Sequence, residues 1–205
     1  MSFSTLTLRA FLDRLASSEP TPGGGTASAV TGAMGTALLV MVAGLPKTRT
    51  NTDEERAALA SVRERLVPIR DALERSADAD ASAFDEVLAA YRLPKVTDEE
   101  KAARKAAIQL AMRHAIEAPL ETLRLAAEAL DLAETVARHG VPSASSDVGV
   151  AAGLLLAAAE GGAANVRVNL GSVSDPSSRD QWAAEADRVF AHATEAAGRA
   201  RAAIS

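Results

Sequence analysis

A chain of 205 residues with 48% hydrophobic side chains can bury a sizeable core as one domain, here 1–205. Only 3% of its residues are aromatic and alanine supplies much of the apolar content, which suits closely packed helices better than a β-sandwich. A net charge of −5 argues against nucleic-acid binding, and the lack of cysteine excludes a disulfide framework, a thiolate metal site and a cysteine nucleophile.

The N-terminus, Met1 to Leu6, lacks the charged-then-apolar layout of a signal peptide, so a cytoplasmic protein is expected. The first helix is predicted from Thr5 or Thr7 to Ser17, with Leu8, Phe11, Leu12 and Leu15 on one face. Gly23, Gly24 and Gly25 open a second helix that ends near Leu45, before Pro46. From Pro20 to Pro46 no residue is charged, and the run is long enough to span a bilayer. Its Gly, Ala, Thr and Ser content fits a buried helix of a soluble bundle better than a membrane segment. A capping box at Thr52 and Glu55 starts a third helix that runs to Tyr91, about 58 Å at 1.5 Å per residue, with a kink expected at Pro68. Thr97 and Glu100 repeat the box for a fourth helix, which Pro119 should kink or divide before it stops at His139 and Gly140. A fifth helix is predicted from about Val148 to Leu170. A sixth is capped by Asp175 and Pro176 and turns Trp182, Ala186, Val189, Phe190, Ala193 and Ala197 inward. The fold class expected is all-α, a single bundle of about six helices.

The third helix holds the misfit from which chemistry is argued. Leu59, Val62, Leu66, Ile69, Leu73, then Ser76 or Ala77, Asp80, Phe84 and Val87 recur every three or four residues and form one face. Asp80 thus falls where a core residue belongs, and a carboxylate there is costly unless paired or protonated. It is either a structural aspartate held by an arginine or an amide, or a general acid that keeps its proton near neutral pH. Asp78, two residues earlier, cannot share that face and is expected to be solvated.

Two further features have two readings each. Gly23, Gly24 and Gly25 at a helix start can bind an anion or carbonyl on free amides, or merely turn the chain between packed helices. Asn165 and Asn169 share a face of the fifth helix, where their amides can recognise a polar heterocycle or bond neighbouring helices. Ser146 and Asp147 read as caps of that helix. The three histidines, His114, His139 and His192, show no metal-ligand spacing, and no metal is expected.

Pro22-Gly-Gly-Gly25-Thr26 ahead of a small-residue helix, Asp78-Ala-Asp80-Ala-Ser-Ala-Phe84, Tyr91-Arg-Leu-Pro94-Lys95, Ser146-Asp147 and Gly162-Ala-Ala-Asn165-Val-Arg-Val-Asn169-Leu170 occur in this order. In that register the chain resembles the cyclodeaminase/cyclohydrolase family over residues 4–200. It is similar to the C-terminal half of formiminotransferase-cyclodeaminase and to stand-alone methenyltetrahydrofolate cyclohydrolases. The resemblance implies an all-α homodimer acting on a tetrahydrofolate derivative, with no cofactor beyond that substrate. It implies Asp80 as the proton donor and Gly23, Gly24, Gly25, Asp147, Asn165, Asn169 and Lys95 as substrate contacts. Arg92 with Lys95, or Lys47 with Arg49, would meet folate carboxylates. The leading expectation is a formiminotetrahydrofolate cyclodeaminase, forming 5,10-methenyltetrahydrofolate with ammonia release. The alternatives are a methenyltetrahydrofolate cyclohydrolase and a non-catalytic helical dimer that binds folate or another ligand. Two segments depart from the family pattern: Gly140-Val141-Pro142-Ser143 replaces a polar loop, and Pro46-Lys47-Thr48-Arg49 replaces Thr-x-Gly-Lys/Arg.

Overall fold

A computed structural model describes residues 2–46 and 52–204 and shows an all-α bundle, with no strand among those residues. The helices are α1 (Leu8–Leu15), α2 (Gly24–Gly44), α3 (Asp53–Arg92), α4 (Asp98–His139), α5 (Ser145–Leu170) and α6 (Pro176–Ala202). Single 3₁₀ turns precede α1 (Phe3–Thr5) and α5 (Pro142–Ala144), and the second of these starts α5 earlier than Val148.

The ends of these helices follow from local chemistry. Both predicted capping boxes form: Thr52 with Glu55 opens α3, and Thr97 with Glu100 opens α4, each satisfying free backbone donors reciprocally. Thr7 caps α1 by accepting from the Ala10 N–H, and Asp175 caps α6 ahead of Pro176. Neither internal proline divides its helix. α3 runs through the exposed Pro68, and α4 runs through the buried Pro119.

α2 and α5 lie side by side at the centre, with α3 and α4 packed around them and α6 closing the far side against α4 and α5. The α2–α5 pair is antiparallel, as the successive neighbours Gly24 with Asn165, Gly32 with Ala158 and Gly35 with Leu155 show. Small residues are what let the backbones meet. A Cβ on Gly162 of α5 would fall 2.8 Å from the Pro119 carbonyl oxygen of α4, and one on Gly35 would fall 3.0 Å from the Ala151 carbonyl oxygen. The α3 stripe packs onto this centre: Leu59, Val62, Leu66, Ile69, Leu73, Ser76 and Ala77 are all buried. Both α2 and the segment Pro142–Leu170 are long and apolar enough to cross a membrane, but half of the apolar window of α2 is buried inside the bundle.

All three histidines lie beside a carboxylate of another helix: His114 with Glu86 at 2.6 Å, His139 with Glu55 at 3.5 Å and His192 with Asp131 at 2.8 Å. They clasp α4 to α3 twice and to α6 once. Among the described residues no three His, Asp or Glu side chains gather into a metal-binding group.

Candidate active site

The apolar stripe of α3 leaves the core at Asp80. Residues before it are buried, whereas Asp80, Phe84 and Val87 are half-buried and line a cavity of about 380 Å³. The cavity's opposite wall is the N-terminus of α2. Because α2 and α3 run antiparallel, the first turn of α2 arrives directly against the Asp80 carboxyl. A Cβ on Gly25 would fall 2.6 Å from Asp80 Cγ, so only glycine lets the helix end and the carboxyl share this space.

Thr26, fully buried in the same turn, donates its hydroxyl proton to Asp80 Oδ2 at 2.9 Å. Burial pushes the Asp80 carboxyl above the usual carboxylate range, and hydrogen bonds from the Thr26 hydroxyl and backbone N–H pull it part of the way back. Among the described residues no lysine, arginine or histidine forms an ion pair with Asp80. Of the two sequence readings, the structural one keeps its amide form, since Asp80 accepts from the Thr26 backbone N–H and hydroxyl and from no arginine among the described residues. The general-acid reading has beside it a carboxyl raised by burial that opens on a cavity.

Gly23, Gly24, Gly25, Asn165 and Asn169 line the same cavity as Asp80, so the structure brings these predicted residues together. The two asparagines also have structural work. Asn165 Nδ2 donates to the Gly161 carbonyl one turn earlier at 2.8 Å. Asn169 Nδ2 donates at 2.7 Å to the carbonyl of Ala115 on α4. That carbonyl lies four residues before Pro119, which has no N–H to give it, so Asn169 fills the bond that the proline vacates. Each amide oxygen remains as an acceptor beside the cavity.

Other predicted residues lie elsewhere. Asp147 sits in the first turn of α5, eighteen residues from Asn165 and so about 27 Å away along the helix axis. It does not line the Asp80 cavity, and neither does the departing segment Gly140 to Ser143 at the same end of the bundle. Lys95 lines a neighbouring basic cavity instead. Arg92 is exposed and lines neither of them, and Lys47 and Arg49 lie outside the described residues. Asp78 is not simply solvated: half-buried, it accepts the Phe3 backbone N–H at 2.8 Å and ties the N-terminal turn to α3.

Sequence reasoning gave no role to Thr26, although it closes the glycine motif. Its bond to Asp80 joins residues 54 positions apart, and only the α2–α3 register reveals it.

The profile of the formiminotransferase-cyclodeaminase family matches residues 7–188. The chain is 43% identical over 187 residues to the methenyltetrahydrofolate cyclohydrolase of Methylorubrum extorquens AM1, covering 91% of this chain and 90% of that protein. It is 35% identical over 172 residues to the formimidoyltransferase-cyclodeaminase of Rattus norvegicus, covering 82% of this chain but only 31% of that much longer protein. Its fold superposes with a TM-score of 0.87 on the crystal structure of formiminotetrahydrofolate cyclodeaminase from Thermotoga maritima, at 27% identity, over 98% of this chain and 96% of that one. With the profile spanning most of its length and a 43% identical relative matched over nine-tenths of both chains, the chain belongs to the formiminotransferase-cyclodeaminase family.

Proposed function

We propose that this protein is an enzyme of folate one-carbon metabolism in which Asp80 gives a proton to a departing nitrogen. The observation that carries the reading is a carboxyl raised by burial, without a cation partner among the described residues, in a cavity bordered by a helix N-terminus and two amides. On 5-formiminotetrahydrofolate, N10 attacks the formimino carbon and the terminal nitrogen leaves as ammonia. That nitrogen gains two protons on the way. N10 gives up one and Asp80 supplies the other, leaving the 5,10-methenyl cation and an Asp80 carboxylate that solvent reprotonates. The family membership supports the substrate class, and the solved relative from Thermotoga maritima is named for this reaction.

A second reading is favoured by the 43% identical relative, which is named a cyclohydrolase. Here water adds to the methenyl carbon, the bond to N5 breaks to leave the 10-formyl product, and one proton is released to the Asp80 carboxylate. Both readings use the Asp80 cavity, so a single assay separates them. Purified protein is offered 5-formimino- and 5,10-methenyltetrahydrofolate while ammonia and methenyl absorbance are followed. Asp80→Asn is expected to lower kcat on the order of 10²–10⁴-fold, whereas Asp78→Asn keeps its oxygen acceptor for Phe3 and retains most activity. Binding without turnover of either substrate would leave a non-catalytic folate-binding protein.

The reading extends to the assembly. The outer face of α2 carries Val30, Met34, Ala37 and Met41 with no charge among them, and Met34 is 54% exposed. A second copy covering that face makes a homodimer and keeps α2 within a soluble cytoplasmic protein that uses no cofactor beyond its tetrahydrofolate substrate.

A further inference from the structure

Four side chains of α2 carry a hydroxyl: Thr26, Ser28, Thr31 and Thr36. Three of them donate it to the carbonyl four residues earlier in the chain. Ser28 bonds Gly24 at 2.7 Å, Thr31 bonds Ala27 at 2.7 Å and Thr36 bonds Gly32 at 2.8 Å. Thr26 is the exception, because the residue four before it is Pro22 and α2 begins only at Gly24. Its hydroxyl has no carbonyl of the same helix to take it, and crosses to Asp80 Oδ2 on α3.

The backbone of that turn repeats the pattern. Gly23 stands at the N-cap of α2 with no side chain to accept a free amide. Thr26 is the third residue of the helix, whose N–H an N-cap side chain would ordinarily take, and that N–H bonds the Asp80 carboxyl instead. Asp80 thus caps a helix to which it does not belong, and both donors come from one residue. Among the described residues, α2, α4 and α5 bring no charged side chain to the cavity, and Tyr91 is the one titratable group besides Asp80 that lines it. Of the nearby acids on α3, Asp78 accepts the Phe3 N–H, Glu86 pairs with His114 and Asp85 lines a separate hollow.

A protonated carboxyl has one oxygen that carries the hydrogen and one that serves as acceptor. We propose that Thr26 is the positioning residue of the proton donor: its hydroxyl makes Oδ2 the accepting oxygen and so places the transferable proton on Oδ1. This rests on the reading of Asp80 as the group that exchanges a proton with the substrate. Oδ1 lies against Gly25, where a Cβ would overlap it, and Gly25 lines the cavity. The proton therefore stands on the glycine side of the cavity, in a carboxyl that cannot turn without breaking the Thr26 bond.

The test removes the hydroxyl while keeping the shape of the side chain. In Thr26→Val the carboxyl is free to turn and either oxygen can hold the proton, so kcat is expected to fall about tenfold with KM unchanged. The change also withdraws a donor that favours the charged carboxyl, so the limb of the pH–kcat profile set by Asp80 should move to higher pH. That direction holds for both reactions. The one that needs the acid stays active to higher pH, and the one that needs the carboxylate starts at higher pH. Thr26→Ser keeps the hydroxyl and loses only the methyl, so it should restore the wild-type limb, which a packing role would not predict. Thr26→Ala also lacks the donor, is expected to match Thr26→Val, and replaces it if the valine protein does not fold. A limb that stays in place or moves to lower pH without the hydroxyl, or a Thr26→Ser protein that behaves like Thr26→Val, overturns the proposal. Carbon-13 titration of the free protein reads the same shift without turnover, with the Asp80 carboxyl identified by its absence from Asp80→Asn. A wild type that turns over neither substrate overturns the enzyme reading, and this titration then decides separately whether Thr26 holds the carboxyl.

Discussion

At the scale of single residues, Asp80 sets a stability against a chemical use. Its pKa is higher folded than unfolded because burial disfavours the charged form more than Thr26 favours it. Native protein therefore binds a proton more readily than unfolded chain does. The carboxyl costs nothing below the ordinary aspartate range, and it costs stability as pH rises through its folded value. Asp80→Asn, which cannot ionise, is expected to melt a few degrees above the wild type at pH about 8 and level with it at pH about 3. Paired thermal melts at the two pH values measure this, and an equal offset at both would mean that burial of charge is not the cause. Asp80 itself was legible in the sequence, because a carboxylate on a three-and-four apolar repeat breaks a pattern visible within a few turns. Thr26 was not, because its role needs the register between two helices that are far apart in the chain.

At the scale of helices, Pro119 and Asn169 explain one another. Proline inside α4 leaves the Ala115 carbonyl without its backbone donor, and Asn169 of α5 reaches across to supply one. Asn169→Ala should cost about 1 kcal/mol, the penalty of a partly buried acceptor that loses its donor. In a Pro119→Ala background the backbone N–H returns and the same substitution should cost much less. Urea unfolding of the four proteins in this cycle gives the coupling, and equal costs in both backgrounds would refute it. From sequence, Pro119 read as a kink or a break, and Asn169 as a bond to a neighbouring helix or to a substrate. Each was seen, but local patterns cannot show that one mends the other. Helix ends were more readable, because capping boxes at Thr52 and Thr97 act within four residues of themselves.

At the scale of the whole molecule, the uncharged run from Pro20 to Pro46 has one side in the bundle and one side facing out. Replacing Met34 and Met41 with glutamate on the outer side should turn the proposed dimer into monomers, read by sedimentation velocity. An unchanged dimer would move the contact to another face, and a wild-type monomer would remove it. Alanine-rich, aromatic-poor composition pointed to packed helices, and periodicity with capping signals made the six-helix bundle readable. The placing of Asp147 was not readable, because motif order along a chain does not say which end of a 26-residue helix meets the site. The same composition has a thermodynamic corollary. Alanine has no side-chain rotamers to lose on folding, so packing Ala29, Ala126, Ala133, Ala152 and Ala159 into the core costs little side-chain entropy. Many of the larger buried side chains, such as Leu66, Leu73, Leu120, Leu123 and Leu130, stand on the surrounding α3 and α4. Mutational tolerance is thereby reversed from that of a leucine-filled core: along the α2–α5 seam, harm comes from adding atoms.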